Sequence, residues 1–153
     1  MTITIHEPTQ ALLESIASRL CAEDVAELTA QGLDPLTVLQ QSHQVSREAY
    51  VACWDGQPQA AFGVADYTTD DSYGVPWMLS TGPRGRVVRE FLAVSRQFVE
   101  AWSPMYVAMF NLVDVRHLRA QRWLQHLGFE PFKVHEINGH PFIEFGRIPC
   151  VAP

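Results

Sequence analysis

The stretch 105–147, MYVAMFNLVDVRHLRAQRWLQHLGFEPFKVHEINGHPFIEFGR, decides the fold, because its punctuation separates four elements. The apolar run 105–110 predicts a buried strand ending at Asn111, and Asp114 is suited to cap a helix that Gly128 terminates. Phe129 restarts the sheet. The runs 130–137 and 141–147 flank Asn138-Gly139, a dipeptide that supplies the two positive-φ residues of a tight type I′ hairpin. The predicted order is β-α-β-β.

Upstream, Val75 to Ser80 predicts a buried strand, and Gly82-Pro83-Arg84-Gly85-Arg86 leads into a long helix ending near Trp102. On that helix Val87, Phe91, Leu92, Val94, Phe98 and Trp102 recur at helical spacing. Two strands, 48–54 and 58–67, flank Asp55-Gly56 as a central antiparallel pair, and 68–73 reads as a polar, acidic loop. At the N-terminus, Ile3 and Ile5 alternate with threonines as a short strand, followed by helices over 10–20, 22–30 and 35–42. Gly32 would stop the second; Asp34 and Pro35 would start the third. Glu23, Asp24, Glu27 and Asp34 are expected to form a solvated acidic face. The fold class this predicts is α+β, a mixed and mostly antiparallel sheet flanked by helices.

At 153 residues the chain fits one domain with a real core, spanning 1–153. No apolar stretch approaches the roughly 20 residues that span a bilayer, and Met1-Thr2-Ile3-Thr4-Ile5 lacks the basic start of a secretory signal, so the protein is expected to stay where it is made. Cys21, Cys53 and Cys150 form no Cys-x-x-Cys pair, which predicts reduced packing thiols. A net charge of -6 gives no broad attraction to nucleic acid. The six histidines show no spacing that converges on a metal, so none is assigned.

The order β-α-β-β, with Asn111 and with Leu127-Gly128-Phe129 closing the helix, resembles the C-terminal half of the Gcn5-related N-acetyltransferase (GNAT) fold. The wording Asn111, His117-Leu118-Arg119, Arg122-Trp123-Leu124 and Gly139-His140-Pro141-Phe142 is similar to the phage and prophage branch of that fold, which includes internal virion protein A of short-tailed phages. The segment Gly74-Val75-Pro76-Trp77-Met78-Leu79-Ser80-Thr81 extends the resemblance upstream. It implies acetyl-CoA as cofactor, with Leu79, Ser80, Thr81, Arg84, Gly85, Arg86, Asn111 and Arg116 as the cofactor-binding residues.

The chain also departs from the enzymes it resembles. Their pyrophosphate loop presents backbone N–H groups at a helix N-terminus. Here the two glycines are differently spaced and Pro83 removes a donor, which Arg84, Arg86 and Arg89 would offset with side-chain charge. The enzymes' proton-donating tyrosine falls on Leu124, and Trp123 cannot replace it. Tyr67, Tyr73 or a water could substitute, and Asp66 or Asp70 could act as base only if their loop folds over the cleft. No catalytic residue is assigned.

Two functions follow. The first is a virion-associated phage protein, in core formation, ejection or assembly, in the particle and the host cytoplasm during assembly. The second is an acetyl-CoA-dependent N-acetyltransferase acting on an amine. The partners left open are other virion proteins, acyl-CoA and a second copy of the chain; no direct nucleic-acid contact and no membrane anchor are expected.

Overall fold

The computed structural model describes residues 2–149, so Met1 and Cys150 lie outside the described residues. Seven strands form one sheet in the order β1-β2-β3-β4-β5-β7-β6. They are β1 Thr4–His6, β2 Ser46–Trp54, β3 Gln57–Tyr67, β4 Asp70–Ser80, β5 Ala108–Asp114, β6 Glu130–Ile137 and β7 His140–Arg147. The helices are α1 Gln10–Ala17, α2 Ala22–Ala30, α3 Pro35–Val45, α4 Val87–Trp102 and α5 Leu118–His126. Every neighbouring strand pair is antiparallel except β4 with β5. The α+β class with a mostly antiparallel sheet is therefore as expected from the sequence.

The turn chemistry holds where dipeptides announced it. Asp55 and Gly56 take φ of 55° and 70°, Asn138 and Gly139 take 50° and 79°, and each pair closes a two-residue hairpin. Gly128, at φ +88°, ends α5, as a glycine without a Cβ can. Asp34 accepts from Thr37 N at 3.1 Å with Pro35 opening α3.

Three boundaries differ from expectation. The segment 68–73 is not a loop: the chain turns at Thr68-Thr69 and β4 begins at Asp70, extending the β3–β4 hairpin with exposed polar residues. Met105 belongs to a 3₁₀ turn, Ser103–Met105, and β5 starts at Ala108 and continues past Asn111 to Asp114, paired with Phe142 of β7. The α5 N-cap is therefore His117, whose ring accepts from Ala120 N at 3.3 Å, rather than Asp114.

Two apolar clusters cover the sheet. On one face Phe91, Val99 and Trp102 of α4 pack onto it together with Leu127 and Phe129 just past α5, with Trp123 and Leu124 of α5 half-buried at the edge. On the other, Leu13 and Ile16 of α1 and Leu39 of α3 press on Val51 and Ala61. No residue of α2 belongs to either cluster, although its Leu28 and Ala30 are buried. Among the described residues no helix is long and apolar enough to cross a membrane.

Candidate functional site

Parallel pairing of β4 and β5 is confined to Tyr73–Ala108 and Gly74–Met109, after which the strands diverge. At the fork Asn111 Nδ2 donates to the Pro76 carbonyl while its Oδ1 accepts from Leu112 N at 2.7 Å, so its amide is consumed in holding the splay. Beyond it lies a cavity of about 140 Å³ that runs between α4 and α5, with Phe98, Trp102, Trp123 and Leu124 among its walls. No tyrosine lines it.

The mouth of the fork is bridged by α2. Asp24 Oδ2 accepts from Ser80 N at 2.9 Å, and Cys21 N donates to Ser80 O at 3.0 Å, engaging both backbone groups at the end of β4. One turn later Glu27 Oε2 accepts from Asp114 N at 3.3 Å at the end of β5. His117 completes the bridge, its Nε2 lying 2.7 Å from Asp24 Oδ1. Half of the acidic face expected in water is thus turned inward: Asp24 is 7% exposed and Glu27 is half-buried, while Asp34 stays exposed and Glu23 sits at the rim. The cause is long-range pairing. Backbone N–H groups left bare by the splay need acceptors, and α2 supplies carboxylates.

Burial pushes the Glu27 carboxyl up to about 7, with His117 pulling against it and the Asp24 and Asp114 charges adding to it. Burial likewise pushes the Cys21 thiol up to about 12, reinforced by Asp24, which leaves it an inert thiol. For His117, burial disfavours the imidazolium, but the bond to Asp24 and the neighbouring carboxylates outweigh that and raise its pKa. Arg116, bonded to Asp114 through Nε at 3.0 Å and Nη2 at 2.7 Å, holds that carboxyl below its usual range.

Cys21 Sγ, Asp24 and His117 bring donor atoms within 4.8 Å of one another, a convergence that histidine spacing did not reveal. The imidazole is not free for a metal, however. Its Nδ1 accepts from Ala120 N, which in the neutral ring places the proton on Nε2, pointing at Asp24. The three side chains form a hydrogen-bonded network.

The residues expected from sequence scatter around this fork. Ser80 and Asn111 are at it. Leu79 faces the opposite apolar cluster, and Thr81 turns to Gln59, with N to the Gln59 carbonyl at 2.8 Å and Oγ1 to Oε1 at 2.6 Å. Arg84, Gly85 and Arg86 are exposed ahead of α4. Arg116 points to Asp114 and the Ala26 carbonyl rather than to that loop. The cation against the loop is Arg119, whose Nη1 lies 2.6 Å from where a Gly82 Cβ would sit and has no hydrogen-bond partner. Asp66 lies across from Gly74 on the paired side of the fork, outside the cavity, where Arg47 and Tyr106 hold it and Arg47 lowers its pKa. Tyr67 and Tyr73 pack edge-on against Phe110. Cys21, Asp24, Glu27, His117 and Arg119 were not among the cofactor-binding residues expected from the sequence.

No protein-family model and no curated protein sequence matches this chain. Solved structures do. Ard1 from Thermoplasma volcanium superposes with a TM-score of 0.76 at 15% identity, covering 99% of this chain and 100% of that one. AAC(6')-Ib in complex with ribostamycin and coenzyme A superposes at 0.69 and 15% identity, over 97% and 94%. An acetyltransferase of the GNAT family from Bacillus cereus ATCC 10987 superposes at 0.65 and 15% identity, over 99% and 100%. At these identities the likeness establishes the fold. It is the GNAT acetyltransferase fold.

Proposed function

We propose that this protein uses the GNAT fold as a docking scaffold in a phage particle or its assembly intermediates, with its cofactor cleft closed by α2. The observation that carries the reading is the bridge from Asp24 to Ser80 and from Glu27 to Asp114. The resemblance implies acyl-CoA contacts at the end of β4 and at Asn111 of β5, yet Ser80 has both backbone groups engaged there. The space behind, about 140 Å³, falls below the roughly 300–1,000 Å³ of pockets that bury drug-sized ligands. Leu124 lines that space where the enzymes carry a proton donor. The phage setting rests on the wording around Asn111, Arg122-Trp123-Leu124 and Gly139-His140-Pro141-Phe142. Phe132 and Val134, each 64% exposed, supply apolar contact surface on β6.

Mass spectrometry of purified mature and precursor particles tests the setting. The protein is expected in at least one of them, and a variant with Arg84, Asn111 and Arg116 replaced by alanine is expected to be incorporated too. Absence of the wild-type chain from both contradicts the reading, as does a folded variant that is not incorporated.

A second reading, an acetyl-CoA-dependent N-acetyltransferase, is favoured by one observation: a Glu27 carboxyl near 7 at the cleft is suited to accept a proton from an ammonium acceptor. Its test is thiol release from acetyl-CoA across a panel of amines. Turnover lost in Glu27→Gln would establish it, and no turnover with any amine would remove it.

A further inference from the structure

We propose that α2 is a pH-released gate over the β4–β5 fork, closed while Glu27 is a neutral acid and displaced when it ionises. The inference goes beyond the closed cleft: closure becomes conditional, whichever function the cleft serves.

The geometry that carries it is the way α2 is attached. None of its side chains enters either apolar cluster, and beside the buried Leu28 and Ala30 its attachments to the fork are polar: Cys21 and Asp24 on Ser80, Glu27 on Asp114, Arg116 Nη2 to the Ala26 carbonyl at 3.5 Å, and Asn138 Nδ2 to the Ala30 carbonyl at 3.3 Å. Glu27 accepts a single long bond, 3.3 Å, from a neutral N–H. A carboxylate there is poorly compensated.

The charges facing it come from every neighbouring element. Asp24 lies one turn earlier on α2, and Asp114 ends β5 with Arg116 on its carboxyl. His117 at the α5 N-cap is bonded to Asp24, and His140 of β7 acts on Asp114. Glu23 and Arg119 sit 3.8 Å apart at the outer rim, beside the Cys21 thiol. With Glu27 protonated, the Asp24 carboxylate is held by the His117 Nε2–H and the Ser80 N–H, and the Asp114 carboxylate by Arg116. Ionisation adds a third carboxylate with no cation of its own. Swinging α2 into water hydrates it and frees the Ser80 N–H and C=O along the cleft.

The sign follows from linkage. Burial raises Glu27 from 4.5 in the unfolded chain to about 7, so its contribution to docking is complete below pH 4.5 and is lost as pH rises through about 7. His117, also raised, works in the same direction.

Hydrogen exchange of the full chain at pH 5.5 and 8.5, corrected for intrinsic exchange rates, reads the gate directly. Protection of α2 and of the Ser80 and Asp114 amides is expected to fall at least about tenfold at the higher pH, while the Val51 and Ala61 amides of β2 and β3 keep theirs. Glu27→Gln is expected to flatten the change, and a His117→Gln variant that retains Glu27 is expected to keep it in weaker form. Equal protection at both pH values overturns the gate, as does a loss shared by all strands or a Glu27→Gln variant with undiminished pH dependence. Failure of the gate leaves the closed cleft standing, since acetyl-CoA binding at pH 6 reports on that separately.

Discussion

The sheet carries two kinds of helical cover, and they are held by different forces. Helices α1 and α3 bury Leu13, Ile16 and Leu39 against Val51 and Ala61, each of these 2% exposed or less, with no carboxylate, imidazole or cation in the cluster. Helix α2 reaches the ends of β4 and β5 with Asp24 and Glu27 instead. Apolar burial is indifferent to pH and tolerates small displacements. Buried carboxylates are indifferent to neither. The same sheet thus has a permanent cover over β2 and β3 and a conditional one over the fork between β4 and β5.

The largest expected effect lies on the permanent side. Leu39, fully buried, should cost about 2–5 kcal/mol when replaced by alanine, by the same amount at pH 5.5 and 8; a urea titration at both values checks this. A pH-dependent loss there would erase the contrast. On the conditional side, Glu27 shifted from 4.5 to about 7 implies that wild-type stability declines between pH 5 and 8 by an amount on the order of 3 kcal/mol. Glu27→Gln should remove most of that slope in the same titrations. Gly63→Ala sharpens the picture of the permanent side, because its Cβ would lie 2.3 Å from the Glu48 carbonyl oxygen in neighbouring β2. Overpacking of this kind costs about 1–3 kcal/mol, read as a lower thermal midpoint. The smallest effect is expected on β6, outside both covers: Val134→Thr, at a side chain 64% exposed, should stay within about ±0.5 kcal/mol.

Local chemistry made most of the fold legible. Asn138-Gly139 and Asp55-Gly56 specified their hairpins, and α2 spans Ala22–Ala30 as its pattern indicated. The misread boundaries depended on partners far along the chain. Asp70 to Ser72 carries no strand pattern and is ordered by the hairpin with β3, while β5 runs on to Asp114 because β7 pairs with it. The site was harder to read for the same reason. Asp24 and Glu27 sit three apart on a helix, a spacing shared by solvated faces, and their acceptor roles are set by Ser80 and Asp114, 56 and 87 residues away. Leu124 in place of the tyrosine was visible from the start, whereas the contact of Arg119 with the loop depends on Gly82 lying beneath it.

Calorimetric titration of acetyl-CoA into the full chain at pH 6 tests the closed cleft most directly. Saturation is expected to be absent at ligand concentrations up to about 1 mM, which corresponds to binding no stronger than about -4 kcal/mol. A low-micromolar dissociation constant, near -8 kcal/mol, that is lost in Arg84→Ala would mean that α2 does not close the cleft and that the pyrophosphate loop works as in the enzymes.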